Sequence, residues 1–242
     1  MLGAVFTDVA RPAPSTAAAQ WVVDALVTFG QDVRSLVPGL FDTYVRILHP
    51  ATRQPSCAPV RWAQVAERNG RRAHALMQWH GVTGGWEFMH GRSQPGRWDH
   101  EPSEGSLPAD VGGPLADVLA AHTTTGDQCW FAIWEGFGGL PADVRAAPRF
   151  EVPARAYHLF QGPVTAITHD VLPPFRQSAN IWWPEDQSWC VATEIDLMST
   201  YVGCTRACAD ELLATASIES YEVPATAGIN WASDTLNPVP QA

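Results

Sequence analysis

Residues Cys129–Trp134 form an unbroken run of apolar and aromatic side chains, Cys-Trp-Phe-Ala-Ile-Trp, with Gly126 before it and Gly136 after it. A short run with no polar position to turn toward water fits a central strand covered on both faces. Any fold for this chain must therefore supply cover on each side of that strand. Tyr44–Leu48, ending at His49-Pro50, Tyr157–Phe160 and Thr200–Val202 read as further strands. Asn180–Asp196 reads as a hairpin in which Trp182-Trp183 faces Trp189-Cys190 across a turn begun by Pro184.

Helices come from a different spacing. Val22, Ala25, Leu26 and Phe29 recur at i, i+3, i+4 and i+7 after the capping candidate Thr16, and Gly30 stops the pattern. A second helix is expected over about 59–69 with Trp62, Val65 and Ala66 on one face. A third, opened by Gly113-Pro114, carries Leu115, Val118, Leu119 and His122, and a fourth carries Cys208, Leu212 and Ala216. Helices dominate the first part and strands the second, which points to an α+β fold: one domain over 1–242, with a mixed or mainly antiparallel sheet and packed helices. The Gly-, Pro-, Ser- and charge-rich stretch 81–113 is expected to hold a mobile loop, and 235–242 a short flexible tail.

A chain of 242 residues, 46% hydrophobic and 17% charged, can bury a sizeable core without a metal or disulfide. The apolar stretches are too short to span a membrane, and the first thirty residues lack a basic region before an apolar run, so a cytoplasmic location without membrane attachment is expected. Cys57, Cys129, Cys190, Cys204 and Cys208 form an odd set without a CxxC pair, which predicts reduced, unligated thiols. All fifteen basic residues are Arg, so Schiff-base chemistry, a lysine base and a P-loop lysine are absent. Net charge is −10, and residues 156–242 hold ten acids against Arg176 and Arg206. Such an acidic pole repels phosphate backbones, so no nucleic-acid binding is expected unless Arg68, Arg71 and Arg72 form a separate patch.

Three stretches carry a resemblance: Asn180–Asp196 followed by Thr200-Tyr-Val-Gly203, Arg46-Ile-Leu-His-Pro50, and Arg61-Trp-Ala-Gln-Val-Ala66. Together they resemble a group of uncharacterised actinobacterial proteins with no known activity. The resemblance implies a bacterial intracellular protein and transfers no catalytic residue.

Among candidate sites, His74, His80 and His90 surround Trp79, Trp86 and Glu87 but show no metal-ligand spacing, so no metal and no cofactor is expected. Glu194 and Asp196, two apart on a strand, could share a proton or hold a cation on one face. The glycine-rich turn Trp134–Gly139 lacks the spacing of a phosphate loop, and no serine or cysteine sits in a nucleophile motif. Tryptophan is the compositional outlier, at eleven residues. Consecutive strand residues face opposite ways, so at least one of Trp182 and Trp183 is expected to be partly exposed beside Glu185 and Asp186. That surface would suit a basic protein partner, making a noncatalytic protein-binding module, immunity-like or regulatory, the leading expectation. The alternatives are a hydrolase, marked by a deep pocket where Glu194 or Asp196 meets a histidine, and a small-molecule or carbohydrate-binding protein, marked by an open aromatic-lined groove.

Overall fold

The computed structural model describes residues 5–89 and 91–237. Its strands are β1 (Arg11–Pro12), β2 (Thr43–Leu48), β3 (Ala51–Arg53), β4 (Ala58–Val60), β5 (Cys129–Trp134), β6 (Arg149–Val152), β7 (Arg155–Gly162), β8 (Ile181–Pro184), β9 (Cys190–Thr193), β10 (Ser199–Cys204) and β11 (Ser220–Val223). β3 and β4 pair as a separate hairpin. The other nine form one sheet in the order β1-β7-β5-β8-β9-β10-β2-β11, with β6 also paired to β7. Every ladder is antiparallel. The helices are α1 (Gln20–Ala25), α2 (Trp62–Arg68), α3 (Trp79–Thr83), α4 (Ala109–Ala121), α5 (Ala142–Arg145) and α6 (Arg206–Ala214). The chain is thus a mixed α+β domain with a mostly antiparallel sheet, and no helix among the described residues is long and apolar enough to cross a membrane.

Period-two alternation sends the sheet's side chains to two separate cores. Phe131 and Ile133 of β5, Trp182 of β8, Val191 of β9 and Val202 of β10 pack on one face with Leu115 and Leu119 of α4 and Leu212 of α6. Trp130 and Ala132, Ile181 and Trp183, Cys190 and Tyr201 point to the other face, where α1 and residues from 13–37 and 223–229 cover them. A third cluster at one end joins Leu48 to Trp62 of α2, Trp79 of α3, Met77 and Trp98.

This double cover corrects the expectation for Trp182 and Trp183. They do face opposite ways, but each meets a packed layer, and their exposures are 0% and 1%. The hairpin ladder also differs by a step: Trp182 lies opposite Val191, and Trp189 falls just beyond the ladder while its ring reaches Trp182 at 5.0 Å between centroids. α4 begins at Ala109, a turn before Gly113-Pro114, because the stretch leading into it is anchored by Leu107, whose N–H donates to Ser178 Oγ. α1 stops at Ala25, so Phe29 leaves the buried stripe and stands 40% exposed, and Ala216 lies past the end of α6.

The stretch 81–113 is not an open loop. It includes part of α3, a 3-10 turn at Trp86–Met89, the start of α4 and the fully buried Trp98 and Leu107. Gly105 fixes its course: φ is +70°, and a Cβ there would lie 2.5 Å from the Ile195 carbonyl oxygen. Gly105→Ala is expected to lose about 1–3 kcal/mol, since neither the backbone angle nor the contact can relax cheaply. Chemical denaturation checks this, and a loss below about 0.5 kcal/mol would contradict the close approach. The expected tail is fastened at its start, where the Asn237 side chain accepts from Arg72 N–H (2.9 Å) and donates to Arg72 C=O (3.0 Å); residues 238–242 lie outside the described residues.

Candidate functional site

The turn after β8 uses its acids for internal attachment rather than as the rim of a binding surface. Glu185 accepts the Trp130 indole N–H. Asp186 accepts from Thr123 Oγ1, Thr124 N–H and Thr124 Oγ1 at 2.8–2.9 Å and from Ser188 N–H at 3.2 Å. Partial burial works against its charge, yet those hydrogen bonds prevail and hold the carboxyl down at about 2. With both tryptophans buried, the expected anchor of Trp182, Trp183, Glu185 and Asp186 is not assembled.

Glu194 and Asp196 also depart from expectation, because β9 ends at Thr193 and both lie in the turn toward β10. Arg155 Nη2 donates to Glu194 at 2.7 Å and to Asp196 at 2.9 Å, so one guanidinium from β7 offsets both carboxylates. That guanidinium lies 4.6 Å from the Phe29 ring centroid, within cation–π range.

The histidines diverge. His74 Nε2 lies 2.9 Å from Asp234 Oδ1, and His80 stacks on Trp86 with ring centroids 4.1 Å apart and planes within 11°. His90 lies outside the described residues, among which no group of three or more metal-ligating side chains occurs. Cys129, Cys190, Cys204 and Cys208 are buried free thiols and Cys57 an exposed one. Burial pushes the Cys129 thiol up to about 12, where it is a poor nucleophile.

What the fold does assemble is a tryptophan-lined pocket of about 290 Å³ beside the third core cluster. Six separate segments build it, one of them the loop that carries Glu104. β2 supplies Arg46, α2 supplies Trp62, and Gln78 through Met89 supplies Trp79, His80 and Trp86. The turn into β10 contributes Asp196–Ser199, and the C-terminal segment adds Asn230 and Trp231. Arg46 is 2% exposed, with its guanidinium over the Trp62 and Tyr201 rings at 5.6 and 6.0 Å. It donates to Ser199 Oγ and to the Ala75 and Met77 carbonyls, and makes no carboxylate ion pair among the described residues. A buried cation held by one hydroxyl, two carbonyls and ring faces, with no paired carboxylate, is costly to maintain.

His80 is equally enclosed. It is 1% exposed, and its Nε2 has no hydrogen-bond partner among the described residues. Burial lowers its pKa, with the Asp234 charge pulling the other way, so the imidazole is neutral near pH 7. The outer wall is aromatic and open to water: Trp86 is 37% exposed, Trp231 is 58% exposed, and their rings meet edge to face at 5.9 Å.

Trp231 stands on a strap whose anchor is Asp234. That carboxylate accepts from His74, from the Gln78, Leu236 and Asn237 backbone N–H groups and from the Asn237 amide. Gly81 permits the approach, since a Cβ there would stand 2.6 Å from Asp234 Oδ2. The sequence reading placed His80 and Trp86 together but overlooked Arg46 and Trp231. The available signal for Trp231 was its setting in Asn-Trp-Ala-Ser-Asp, a capped polar turn in which Asn230 accepts the Ala232 N–H and a large apolar side chain has no local partner.

No protein-family model matches the chain, nor does any curated protein or solved structure.

Proposed function

We propose that the protein is a noncatalytic binding protein that takes a small organic ligand into the tryptophan-lined pocket. The observation that carries this reading is the pairing of enclosed, unspent polar groups at Arg46 and His80 with the half-open indoles of Trp86 and Trp231. A pocket of about 290 Å³ lies just below the usual range for ligand sites, ~300–1,000 Å³, so it suits a small ligand, and it mixes aromatic walls with a few fixed polar groups as those sites do. Asp196 and His80 line the same pocket, as a hydrolase would ask, but Arg155 pairs with both Glu194 and Asp196, which favours binding over acid–base chemistry. The protein-binding reading lacks its tryptophan anchor, because Trp182 and Trp183 are core residues.

A thermal-shift screen of small metabolites checks the proposal. A ligand present at ~100 times its dissociation constant should stabilise the fold by about 2.7 kcal/mol, several degrees in Tm, and the shift should fall to about half in Trp231→Ala. Hits that persist undiminished in both Trp86→Ala and Trp231→Ala would remove the pocket from consideration. Conversion of the bound compound into a product would make the protein an enzyme.

A further inference from the structure

We infer that the ligand of this pocket is an uncharged, hydroxyl-rich ring, a sugar of one or two units. The inference rests on the small-molecule reading above and follows from which polar atoms the pocket leaves unspent.

Charge comes first. The buried guanidinium of Arg46 lies at the pocket lining, so a cationic ligand would be brought against a like charge in a poorly solvated place, despite the aromatic walls that otherwise suit quaternary ammonium groups. Asp196 lines the same pocket, and the chain as a whole carries −10, so an anionic ligand meets a repulsive field on approach. Arg155 offsets Asp196 only in part, because it also serves Glu194. A neutral ligand avoids both penalties.

Hydrogen-bonding capacity narrows the choice. Arg46 uses Nε and Nη1 within the protein, leaving Nη2 as a donor. Gln78 donates its amide N–H to Ser233 and keeps its carbonyl oxygen; Asn230 uses its carbonyl oxygen to cap the Trp231 turn and keeps its NH₂ group. Asp196 retains Oδ1, Ser199 retains its hydroxyl proton, and His80 Nε2 is unpartnered. Among the described residues the pocket thus offers donors and acceptors side by side. An aromatic hydrocarbon would leave the buried ones, on Arg46, Ser199 and His80, unsatisfied, which is expensive. A hydroxyl both donates and accepts, so several on one ring can meet such a mixed set. The same ring presents C–H faces between its hydroxyls, and these pack on exposed indole surface such as that of Trp231.

The test uses the full chain, with saturation-transfer NMR and calorimetry. The probes are glucose, galactose, mannose and N-acetylglucosamine, with glucuronate as the anionic sugar, choline as the cation and indole as the flat ring without hydroxyls. At least one neutral sugar is expected to bind, with glucuronate about tenfold weaker than glucose or a larger deficit. Trp231→Ala, at an exposed position that leaves the core intact, is expected to weaken that sugar about tenfold. Binding of choline or indole without any neutral sugar overturns the ligand class while leaving the small-molecule pocket standing. Sugar binding indifferent to Trp231→Ala overturns the site. Failure of every probe, with Trp231 and Trp86 fluorescence unchanged throughout, overturns both.

Discussion

Trp189→Ala is expected to cost about 3–5 kcal/mol of folding stability, the range for removing a large aromatic side chain from a close-packed core. Trp189 has no exposed surface, its ring packs edge to face with Trp182 at 5.0 Å, and its indole N–H donates to the Leu119 carbonyl at 2.9 Å. The truncation would therefore open a cavity where the β8–β9 hairpin meets the last turn of α4 and would also withdraw a donor from that carbonyl. Urea unfolding followed by far-UV circular dichroism measures the effect, and the midpoint should fall with little change in slope. A loss below about 1 kcal/mol would place Trp189 outside the core and break the account of how hairpin and helix are joined.

Asp234→Ala should lose about 2–4 kcal/mol, because five donors converge on one enclosed carboxylate and its removal leaves them stranded. The pH dependence identifies the cause. Burial alone would raise this carboxyl, but the hydrogen bonds from Asn237, Gln78 and His74 outweigh it and hold the folded-state value below the ordinary one of 3.8. A group depressed on folding stabilises the protein at pH values above its unfolded value, and that contribution fades as pH falls through the folded one. The stability gap between wild type and Asp234→Ala should accordingly be constant from about pH 5 to 7 and narrow below about pH 4. A gap unchanged down to about pH 2 would show that the loss is one of packing. The same variant should release Trp231 and red-shift its emission.

Much of the sheet could be read directly from the chain. Cys129–Trp134 became β5 because an unbroken apolar run has few alternatives to a covered strand, and Tyr44–Leu48 became β2 with Arg46 its one charged residue. The opposed directions of Trp182 and Trp183 were also legible, since they depend only on the strand period. Their burial was not, because it depends on α4 and α6 on one side and α1 on the other, segments distant in sequence whose placement no local pattern encodes. Glu194 and Asp196 were misplaced for a related reason: β9 ends one residue before Glu194, and Arg155 arrives from a strand three places away in the sheet. The pocket was least legible of all. Arg46 reads as a mid-strand residue and Trp231 as part of a C-terminal turn, and only the folded chain brings the two together.

The position of β2 has a consequence for how the chain must be made. β2 (Thr43–Leu48) lies between β10 (Ser199–Cys204) and β11 (Ser220–Val223), so both of its ladders await segments synthesised much later. At ~5–20 residues per second, the wait between the emergence of the first strand and of β10 lasts on the order of 8–30 s. For that time a strand whose six residues are all buried in the finished molecule has neither edge satisfied. The nascent chain therefore carries an adhesive segment through most of its translation. Conditions that slow ribosomes between the two strands should raise the aggregated fraction more than conditions that slow them afterwards.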